Sequence, residues 1–265
     1  MRIIVCVKQV PNTNEVKLNH ETGTLIRDGV PSIINPDDLA GIEAALAIKD
    51  QLGHDNVSIT LICMGPAQAD IALREALAMG CDRAYLVSDR AFAGADTWAT
   101  SSTLAGAITF LGYDLIITGR QAIDGDTAQV GPQIAEHLGI PHISYAEEIE
   151  ISPNNIIVKR QYEDRYQRIQ AEFPVLVTAL SDLNQPRYMS TRGVVDAYDK
   201  KEVVTLTYQD LIEFIPPENI GLKGSPTRVK KSFTKAAKGK GEVHQVSDDE
   251  AVEIIIEKLK KHYIL

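Results

Sequence analysis

The segment from Gly119 to Pro132 contains the residues whose types and order best suit the binding of a phosphate group. It reads GRQAIDGDTAQVGP and directly follows the apolar run 114–118. Gly119 and Gly125 let the backbone approach a ligand closely, and Arg120 supplies a permanent positive charge. A strand that runs through a loop into a helix presents free amide groups and a positive dipole end to an anion. The pattern therefore indicates a candidate phosphate site at the carboxyl end of a strand, where open α/β sheets bind ligands.

The pattern of this loop does not by itself decide whether the loop binds anything. Asp126 or Thr127 is predicted to cap the following helix, and many strand-to-helix loops combine a glycine with a capping residue. The two commonest nucleotide motifs, GxGxxG and GxxxxGK[ST], are absent from the chain. The residue types alone leave a binding loop and a purely structural turn both open.

Alternating apolar runs and helical segments predict the elements that position this loop. The apolar runs are continuous, as expected where both faces of a parallel sheet are covered. Asp37 and Asp38 are predicted to cap the first helix. The pattern indicates βαβ units and a mostly parallel sheet. Strands are predicted over 2–8, 57–64, 84–87, 114–118 and 175–179, and helices over 38–52, 67–79, 97–111 and a segment ending at 137 or 138.

Short alternating runs and turns replace this pattern after about residue 145. They predict antiparallel strands over 147–151, 156–162 and 167–172, and the polar excursion 9–36 suggests a small hairpin around Thr22-Gly23. From about residue 183 the apolar periodicity weakens until Ser247-Asp248-Asp249 caps an amphipathic helix with apolar residues at 252, 255, 256 and 259. We therefore predict an α/β domain over 1–183 and a C-terminal arm over 184–265 that lies on a partner subunit. The alternative is a flexible tail with an isolated helix.

The bulk composition excludes several classes of function. A net charge of −9 and a pI near 5.2 disfavour a nucleic-acid-binding protein, which needs a basic face. No run of about 18 apolar residues is present, so no membrane span is predicted, and without a signal-like start a cytoplasmic protein is expected. Cys6, Cys63 and Cys81 form no CxxC motif, so we expect packing and not metal ligation.

The loop sequence GRQAIDGDTAQVGP resembles the nucleotide loop of the beta subunit of electron transfer flavoproteins. The resemblance covers nearly the whole chain, and Arg165 departs from it because the family usually has a small or acidic residue there. The matching segments are VCVKQVP at 5–11, Asn35-Pro36, Gly65-Pro66, AMG at 78–80, GADT at 94–97 and the stretch from Val158 through Phe173-Pro174-Val175.

This resemblance implies a doubly wound α/β domain and a long C-terminal arm that wraps an alpha subunit carrying one FAD. The beta subunit of the family holds AMP in the ordinary branch and a second FAD in the electron-bifurcating branch. The residues Asp124-Gly125-Asp126-Thr127 and the segment Gly224–Phe233 resemble the bifurcating branch, and a small residue at 125 leaves room for a larger cofactor. FAD is therefore favoured over AMP. A non-redox adenine-nucleotide sensor is a third alternative, but it does not explain the arm.

The residues expected to line the nucleotide site follow from the resemblance. For Cys6 the alternative is core packing, for Asn35 a turn, and for Thr97, placed near the flavin by the resemblance, a simple helix cap. The expected set is Cys6, Lys8, Asn35, Met64, Gly65, Thr97, Gly119, Arg120, Gln121, Ala122, Asp124, Gly125, Asp126, Thr127, Gln129 and Val130.

The function implied by the resemblance is electron transfer, with no catalytic acid, base or nucleophile required from the protein. NADH would deliver hydride to the FAD of this subunit, one electron would pass through the alpha-subunit flavin to a dehydrogenase, and the other would reach ferredoxin. The segment Arg187-Tyr188-Met189-Ser190-Thr191-Arg192 stands where the family recognises the dehydrogenase. Ordinary members have a leucine there, so the partner is left open, and a plain surface loop is the alternative.

Overall fold

The computed structural model describes residues 1–12, 31–228 and 241–265, together with the backbone of two short strands at 17–18 and 25–26. Of the described residues, the larger of two compact units contains 1–12, 17, 26 and 31–228, and the smaller unit contains 18, 25 and 241–265. The strands are β1 Arg2–Cys6, β2 Gln9–Pro11, β3 Lys17–Leu18, β4 Leu25–Ile26, β5 Ser32–Ile34, β6 Ser58–Met64, β7 Arg83–Val87, β8 Leu115–Gly119, β9 His142–Ile151, β10 Asn155–Gln161, β11 Tyr166–Glu172, β12 Val175–Ala179 and β13 Val203–Leu206.

Most of the helices lie where the sequence pattern predicts them. Gly53, Gly80, Gly112 and Gly139 follow the first four α-helices, as the glycine pattern predicts. The α-helices are α1 Pro36–Leu52, α2 Asp70–Met79, α3 Thr97–Leu111, α4 Val130–Leu138, α5 Thr191–Asp199, α6 Tyr208–Leu211 and α7 Asp248–Lys261, and a 3₁₀ turn at Ala67–Ala69 precedes α2.

One nine-stranded sheet forms the centre of the larger unit, in the order β11-β10-β9-β12-β8-β1-β6-β7-β13. In the run β12-β8-β1-β6-β7-β13 of this order, every neighbouring pair is parallel. The strands β9, β10 and β11, by contrast, pair with one another in antiparallel fashion. After β7 the chain crosses to the other side of β1 and forms β8. The order of the strands therefore reverses between β1 and β8, and in open α/β sheets ligands bind at such a switch point.

Helices cover both faces of this sheet, so the fold is doubly wound. Alternate residues of β1 point to opposite faces: Ile3 packs in the cluster that contains the buried faces of α1 and α2, and Ile4 in the cluster that contains those of α3 and α4. Burial on both faces explains why the strands are continuously apolar in sequence. The predicted fold class, a mostly parallel α/β sheet with an antiparallel extension and a C-terminal helix, is confirmed.

Several local predictions need correction. The first helix begins at Pro36, and Asp37 and Asp38 lie in its first turn and do not cap it. Strand β1 ends at Cys6, two residues before its predicted end, and β9 begins at His142, five residues before its predicted start. Strand β13 was not predicted.

The hairpin predicted around Thr22-Gly23 lies outside the described residues. Strands β3 and β4, on either side of it, pair with each other.

The helix α7 confirms the amphipathic segment predicted near the C-terminus. Ser247 and Glu250 form a capping box at its start, with the side chain of each accepting a bond from the backbone of the other. Within the described parts of the chain, no helix combines the length and the apolarity needed to cross a membrane.

Candidate nucleotide site

The loop from Gly119 to Gln129 joins β8 to α4 at the switch point of the sheet. The loop that follows β1 lies beside it: Lys8 Nζ is 2.7 and 2.8 Å from the two carboxylate oxygens of Asp124. Both side chains of this ion pair are partly exposed. The structure therefore brings two of the predicted site residues together, from segments more than a hundred residues apart.

Asn35 forms hydrogen bonds with the backbone of the loop 119–129, which we call the nucleotide loop. Its side chain is fully buried, its Nδ2 donates to the carbonyl of Gln121 at 2.8 Å, and its Oδ1 accepts from the amide of Ile123 at 3.2 Å. Both polar atoms of the side chain are thus engaged by the loop backbone. Asn35 is more than a turn residue, because it holds the loop in shape.

Asp37 and Asp38 belong to the same framework, although the sequence analysis gave them only a capping role. Asp38 accepts one hydrogen bond from the amide of Lys8 at 2.8 Å and one from the amide of Gly119 at 3.0 Å. Asp37 accepts from the amide of Ser181, after β12, at 3.0 Å and from that of Gln121 at 3.4 Å. One sequence feature could have indicated this role: the two acids directly follow Asn35-Pro36, at the amino end of a helix that faces the site.

Burial raises the pKa of Asp38 to about 7, the negative charge of Asp37 acts in the same direction, and the hydrogen bonds from Asn35 and the two amides oppose the shift. Arg120 balances the neighbouring acid: its Nε lies 3.4 Å from Asp37 Oδ2, at ion-pair distance, but makes no hydrogen bond. The predicted fixed positive charge therefore faces the carboxylates of α1.

Two glycines, Gly119 at the start of the loop and Gly131 in the first turn of α4, are required by the packing of the protein itself. A Cβ at Gly119 would collide with Oδ1 of Asp38, and a Cβ at Gly131 would lie 2.6 Å from Oγ1 of Thr118. Gly125 differs, because a Cβ there would meet no atom within 4 Å. Nothing in this part of the fold needs a glycine at 125, so the space beside it is open for a ligand.

The backbone of the loop turns sharply before α4 begins. The amides of Gly125 and Asp126 both donate to the carbonyl of Ala122, at 3.2 and 2.9 Å, and Gln121 Nε2 donates to Oδ1 of Asp126 at 3.1 Å. Asp126 and Ala128 have positive φ values of 49° and 53°, a backbone conformation found mainly at glycine and concentrated at functional sites.

The capping prediction for α4 is wrong. Neither Asp126 nor Thr127 is the cap: the N-cap residue is Gln129, and its side chain makes no capping hydrogen bond. Asp126 and Thr127 come too early in the chain and belong to the turn. The amino end of α4 thus has no side-chain cap. Since Pro132 has no N–H and the amide of Gln133 donates to the carbonyl of Gln129, the amides of Val130 and Gly131 are the ones left for an anion.

Thr97 contacts the end of the nucleotide loop. Its Oγ1 lies 2.8 Å from Oε1 of Gln129 and donates a hydrogen bond to it. The alternative role of Thr97 as a helix cap is wrong, because the N-cap of α3 is Asp96, whose carboxylate accepts from the amide of Ala99 at 3.1 Å. Thr97 and Gln129 therefore join the starts of α3 and α4.

Cys6, Met64 and Gly65 lie at the carboxyl ends of the neighbouring strands. Cys6 is 8% exposed and packs in the core cluster under α3 and α4, and burial raises the pKa of its thiol. Met64 packs against the same cluster, and the amide of Gly65 donates to the carbonyl of Val87 at 3.1 Å. The packing role of Cys6 is confirmed, and contact of these residues with a nucleotide stays a prediction.

The predicted partner loop follows β12 and includes the first two residues of α5, Thr191 and Arg192. Arg187 is bound to α1: its guanidinium donates to Glu43 at 2.8 and 2.9 Å and to Asp50 at 2.8 Å, and these carboxylates raise the pKa of Arg187. Ser190 caps α5 and Thr191 is its first residue. Tyr188 is 97% exposed, and all residues from Met189 to Arg192 are also exposed, so the segment presents a free surface in which Tyr188, Met189 and Arg192 are the large side chains.

The comparisons with known proteins identify the family. The model of the electron transfer flavoprotein domain matches residues 22–211. Over its full length the chain is 53% identical to an electron transfer flavoprotein subunit beta of Clostridium acetobutylicum, of which it covers 100%. This chain belongs to the electron transfer flavoprotein family, as one of its beta subunits. It is also 51% identical to the caffeyl-CoA reductase-Etf complex subunit CarD of Acetobacterium woodii, and 46% identical to the acryloyl-CoA reductase electron transfer subunit gamma of Anaerotignum propionicum, with all of each chain covered.

Membership in the electron transfer flavoprotein family makes the chain a component of electron transport. Proteins of this family bind a flavin or AMP, and a beta subunit works with an alpha subunit and with a dehydrogenase. The framework around Gly119, built on Asn35, Asp38 and Lys8, agrees with that assignment. The switch-point loop is the candidate position of the nucleotide.

Proposed function

We propose that this chain is the beta subunit of an electron-bifurcating electron transfer flavoprotein and that it holds FAD on the loop 119–130. The observation that carries the proposal is the open space at Gly125, on a loop that the protein otherwise holds tightly. A glycine that its own fold does not require is explained by a large ligand beside it. Similarity to CarD, a subunit of a caffeyl-CoA reductase-Etf complex, supports the same branch.

The residues around the loop fit an adenine nucleotide. The uncapped amino end of α4 suits the diphosphate, and the strand ends at Cys6 and Met64 bound the space beside the loop. Lys8 and Asp124 pair with each other and hold the loop closed toward β1, and Thr97 and Gln129 order its far end. When bound, the FAD would supply acceptance of hydride from NADH and single-electron transfer to the alpha-subunit flavin and to ferredoxin.

The partner loop is the proposed site of contact with a flavin-dependent dehydrogenase. Its exposed residues Tyr188, Met189 and Arg192 support this assignment. Two relatives are named for reductases of CoA thioesters, caffeyl-CoA and acryloyl-CoA, so a dehydrogenase that acts on a CoA thioester is the proposed partner class. Residues 184–228 of the predicted arm belong to the larger unit and supply β13 to its sheet, so only the described part over 241–265, which contains α7, is proposed to wrap the alpha subunit. The complex is proposed to work in the cytoplasm.

The second candidate is an ordinary beta subunit in which AMP fills the same loop structurally. The framework of Asn35, Asp37 and Asp38 would serve AMP equally well, since both nucleotides share the adenosine monophosphate group. A non-redox nucleotide sensor is disfavoured, because the similarity to the electron transfer flavoprotein family extends over the length of the chain.

One measurement separates the candidates: the number of flavins bound per heterodimer after copurification of this chain with its alpha subunit. Two flavins are expected. One flavin with AMP released on denaturation would establish the ordinary branch instead, and no flavin would overturn the flavoprotein proposal.

A variant tests whether the absence of a side chain at Gly125 is what allows FAD, and not only AMP, to bind. Gly125→Asn adds an amide side chain into open space, so it should keep the fold while lowering flavin content from two toward one. Gly139→Asn is the control: a Cβ there also meets nothing within 4 Å, position 139 is at the far end of α4, and asparagine tolerates the left-handed conformation that Gly139 adopts, with φ of 64°. An unchanged flavin content in the Gly125 variant would contradict the proposal.

A further inference from the structure

The first turn of α1 holds the loops of three strands at once. Asp38 binds the amides that follow β1 and end β8, Asp37 binds an amide after β12, and Asn35 binds the backbone of the nucleotide loop. These side chains can hold the loops in place without touching a ligand. The inference below rests on the proposed nucleotide site and concerns how that site is shaped.

Asp38 holds the two loops that flank the switch point with one carboxylate. Its Oδ2 accepts from the amide of Lys8 and its Oδ1 accepts from the amide of Gly119, so each oxygen serves one loop. The contact with Gly119 is too close to admit a Cβ. A change at either oxygen is therefore transmitted directly to the backbone of one loop.

Several charged or titratable groups surround this carboxylate. The negative charge of Asp37 lies next to it on α1 and is itself paired with Arg120. From the sheet, the Cys6 and Cys63 thiols feel the charge of Asp38, and burial raises the pKa of each thiol. Lys8 faces it with its amide, while the ammonium of that residue is taken by Asp124.

We propose that Asp38 is a positioning residue of the nucleotide site, whose ionised carboxylate sets the spacing of the Lys8 and Gly119 loops. Protonation turns one oxygen into a hydroxyl, which must donate its own proton and accepts poorly from an amide. One of the two loops is then released and nucleotide affinity falls. Because burial raises the pKa of Asp38 to about 7, this change takes place near neutral pH.

The test compares Asp38→Asn with the wild type by titrating AMP into the nucleotide-free heterodimer from pH 5.5 to 8.5. The asparagine mimics the protonated acid, since its oxygen accepts one amide and its NH₂ group cannot accept the other. The loss of one charge-assisted hydrogen bond predicts affinity about tenfold weaker than wild type at pH 8.5. The ratio of the wild-type affinity to that of the variant should fall toward one at pH 5.5.

The ratio of the two affinities removes the titration of the AMP phosphate, which is common to both proteins. Glu75→Gln is the matched control: Glu75 lies on α2, and burial also raises its pKa, so its ratio to wild type should stay near one at every pH. If Asp38→Asn instead gives a ratio that does not change with pH, the inference is overturned.

A second measurement needs no variant. In wild-type heterodimer labelled with ¹⁵N-lysine and ¹⁵N-glycine, the amide signals of Lys8 and Gly119 should shift together with one midpoint near pH 7. Signals that do not titrate would overturn the inference and leave the nucleotide site intact. If wild-type protein binds no AMP at any pH, the proposed nucleotide site itself fails, and the inference fails with it.

Discussion

At the scale of single residues, Gly119 is a position where the neighbouring helix leaves no room for a side chain. Its amide donates to Asp38, and a Cβ would also lie 2.8 Å from Cβ of Asp37 and 2.9 Å from the amide nitrogen of Asp38. Because the contacts at Gly119 include backbone atoms of the first turn of α1, a change of side-chain rotamer there cannot relieve the clash. Gly119 therefore sets how closely β8 and α1 approach.

Gly119→Ala should lower the free energy of unfolding by about 3 kcal/mol, because overpacking and a strained hydrogen bond combine. Urea unfolding of the variant measures the effect. Gly125→Ala in the same loop is the control and should stay within about 0.5 kcal/mol of wild type, since its Cβ meets open space. Equal destabilisation of the two variants would show that the close contact at Gly119 does not limit stability.

The sequence analysis expected Gly119 to let the backbone approach a ligand, whereas the structure shows that the space of a Cβ at this position is taken by the first turn of α1. Its partner Asp38 lies 81 residues earlier in the chain, and only the sheet order brings the two together. Asp38 itself has the sequence features of a helix cap, a local role that chain position suggests. Its two bonds to backbone amides, those of Lys8 and Gly119, are both long-range, so no local rule could find them.

At the scale of elements, the partner loop is part anchor and part free surface. Arg187 is held by Glu43 and Asp50 of α1, whereas Tyr188 is almost fully exposed. The loop is thus fastened at one end by a branched ion pair and at the other by Ser190, which caps α5.

Tyr188→Ala should slow electron transfer to the partner dehydrogenase while leaving flavin content and the unfolding midpoint unchanged, because the ring touches little of its own chain. Steady-state reduction of the dehydrogenase by the heterodimer measures the rate. Tyr198→Ala is the comparison: this exposed ring packs on Arg74, so its loss should lower stability slightly. A fall in bound flavin in Tyr188→Ala would count against the loop as a partner surface.

Element prediction succeeded for α3, where local signals mark both ends of the helix. Helix α3 has its predicted bounds, because Gly94–Thr97 and Gly112 mark both of its ends. Strand β13 was missed because two of its four residues are exposed and its partner among the described strands is β7, far away in sequence. The start of α4 was misassigned because Asp126 and Ala128 adopt positive φ values that extend the turn.

At the scale of the whole molecule, Asp38 links stability to pH. Its folded pKa of about 7 is above the ordinary value of 3.8, so folding favours the neutral acid. The stability from this group is fully present below about pH 4 and is lost as the pH rises through about 7. The ionised form that the nucleotide site is proposed to use is therefore the less stable one for the empty protein.

Asp38→Asn cannot ionise, so the wild type should lose stability relative to this variant as the pH rises from 5 to 7.5. The steepest slope expected for one group is about 1.4 kcal/mol per pH unit. Urea unfolding of nucleotide-free protein at several pH values gives the difference between the two. A difference that grows in the opposite direction would mean that the carboxylate is stabilised, not penalised, by its surroundings.

Helix α1 carries both sets of anchors, Asp38 for the nucleotide loop and Glu43 and Asp50 for the partner loop. Along a helix that rises 1.5 Å per residue, Asp38 and Asp50 are about 18 Å apart. A single residue inserted between Asp38 and Glu43 would turn the second set by about 100° and point it away from Arg187. Side chains on either loop can therefore change during evolution, but the number of residues between the anchors in α1 cannot.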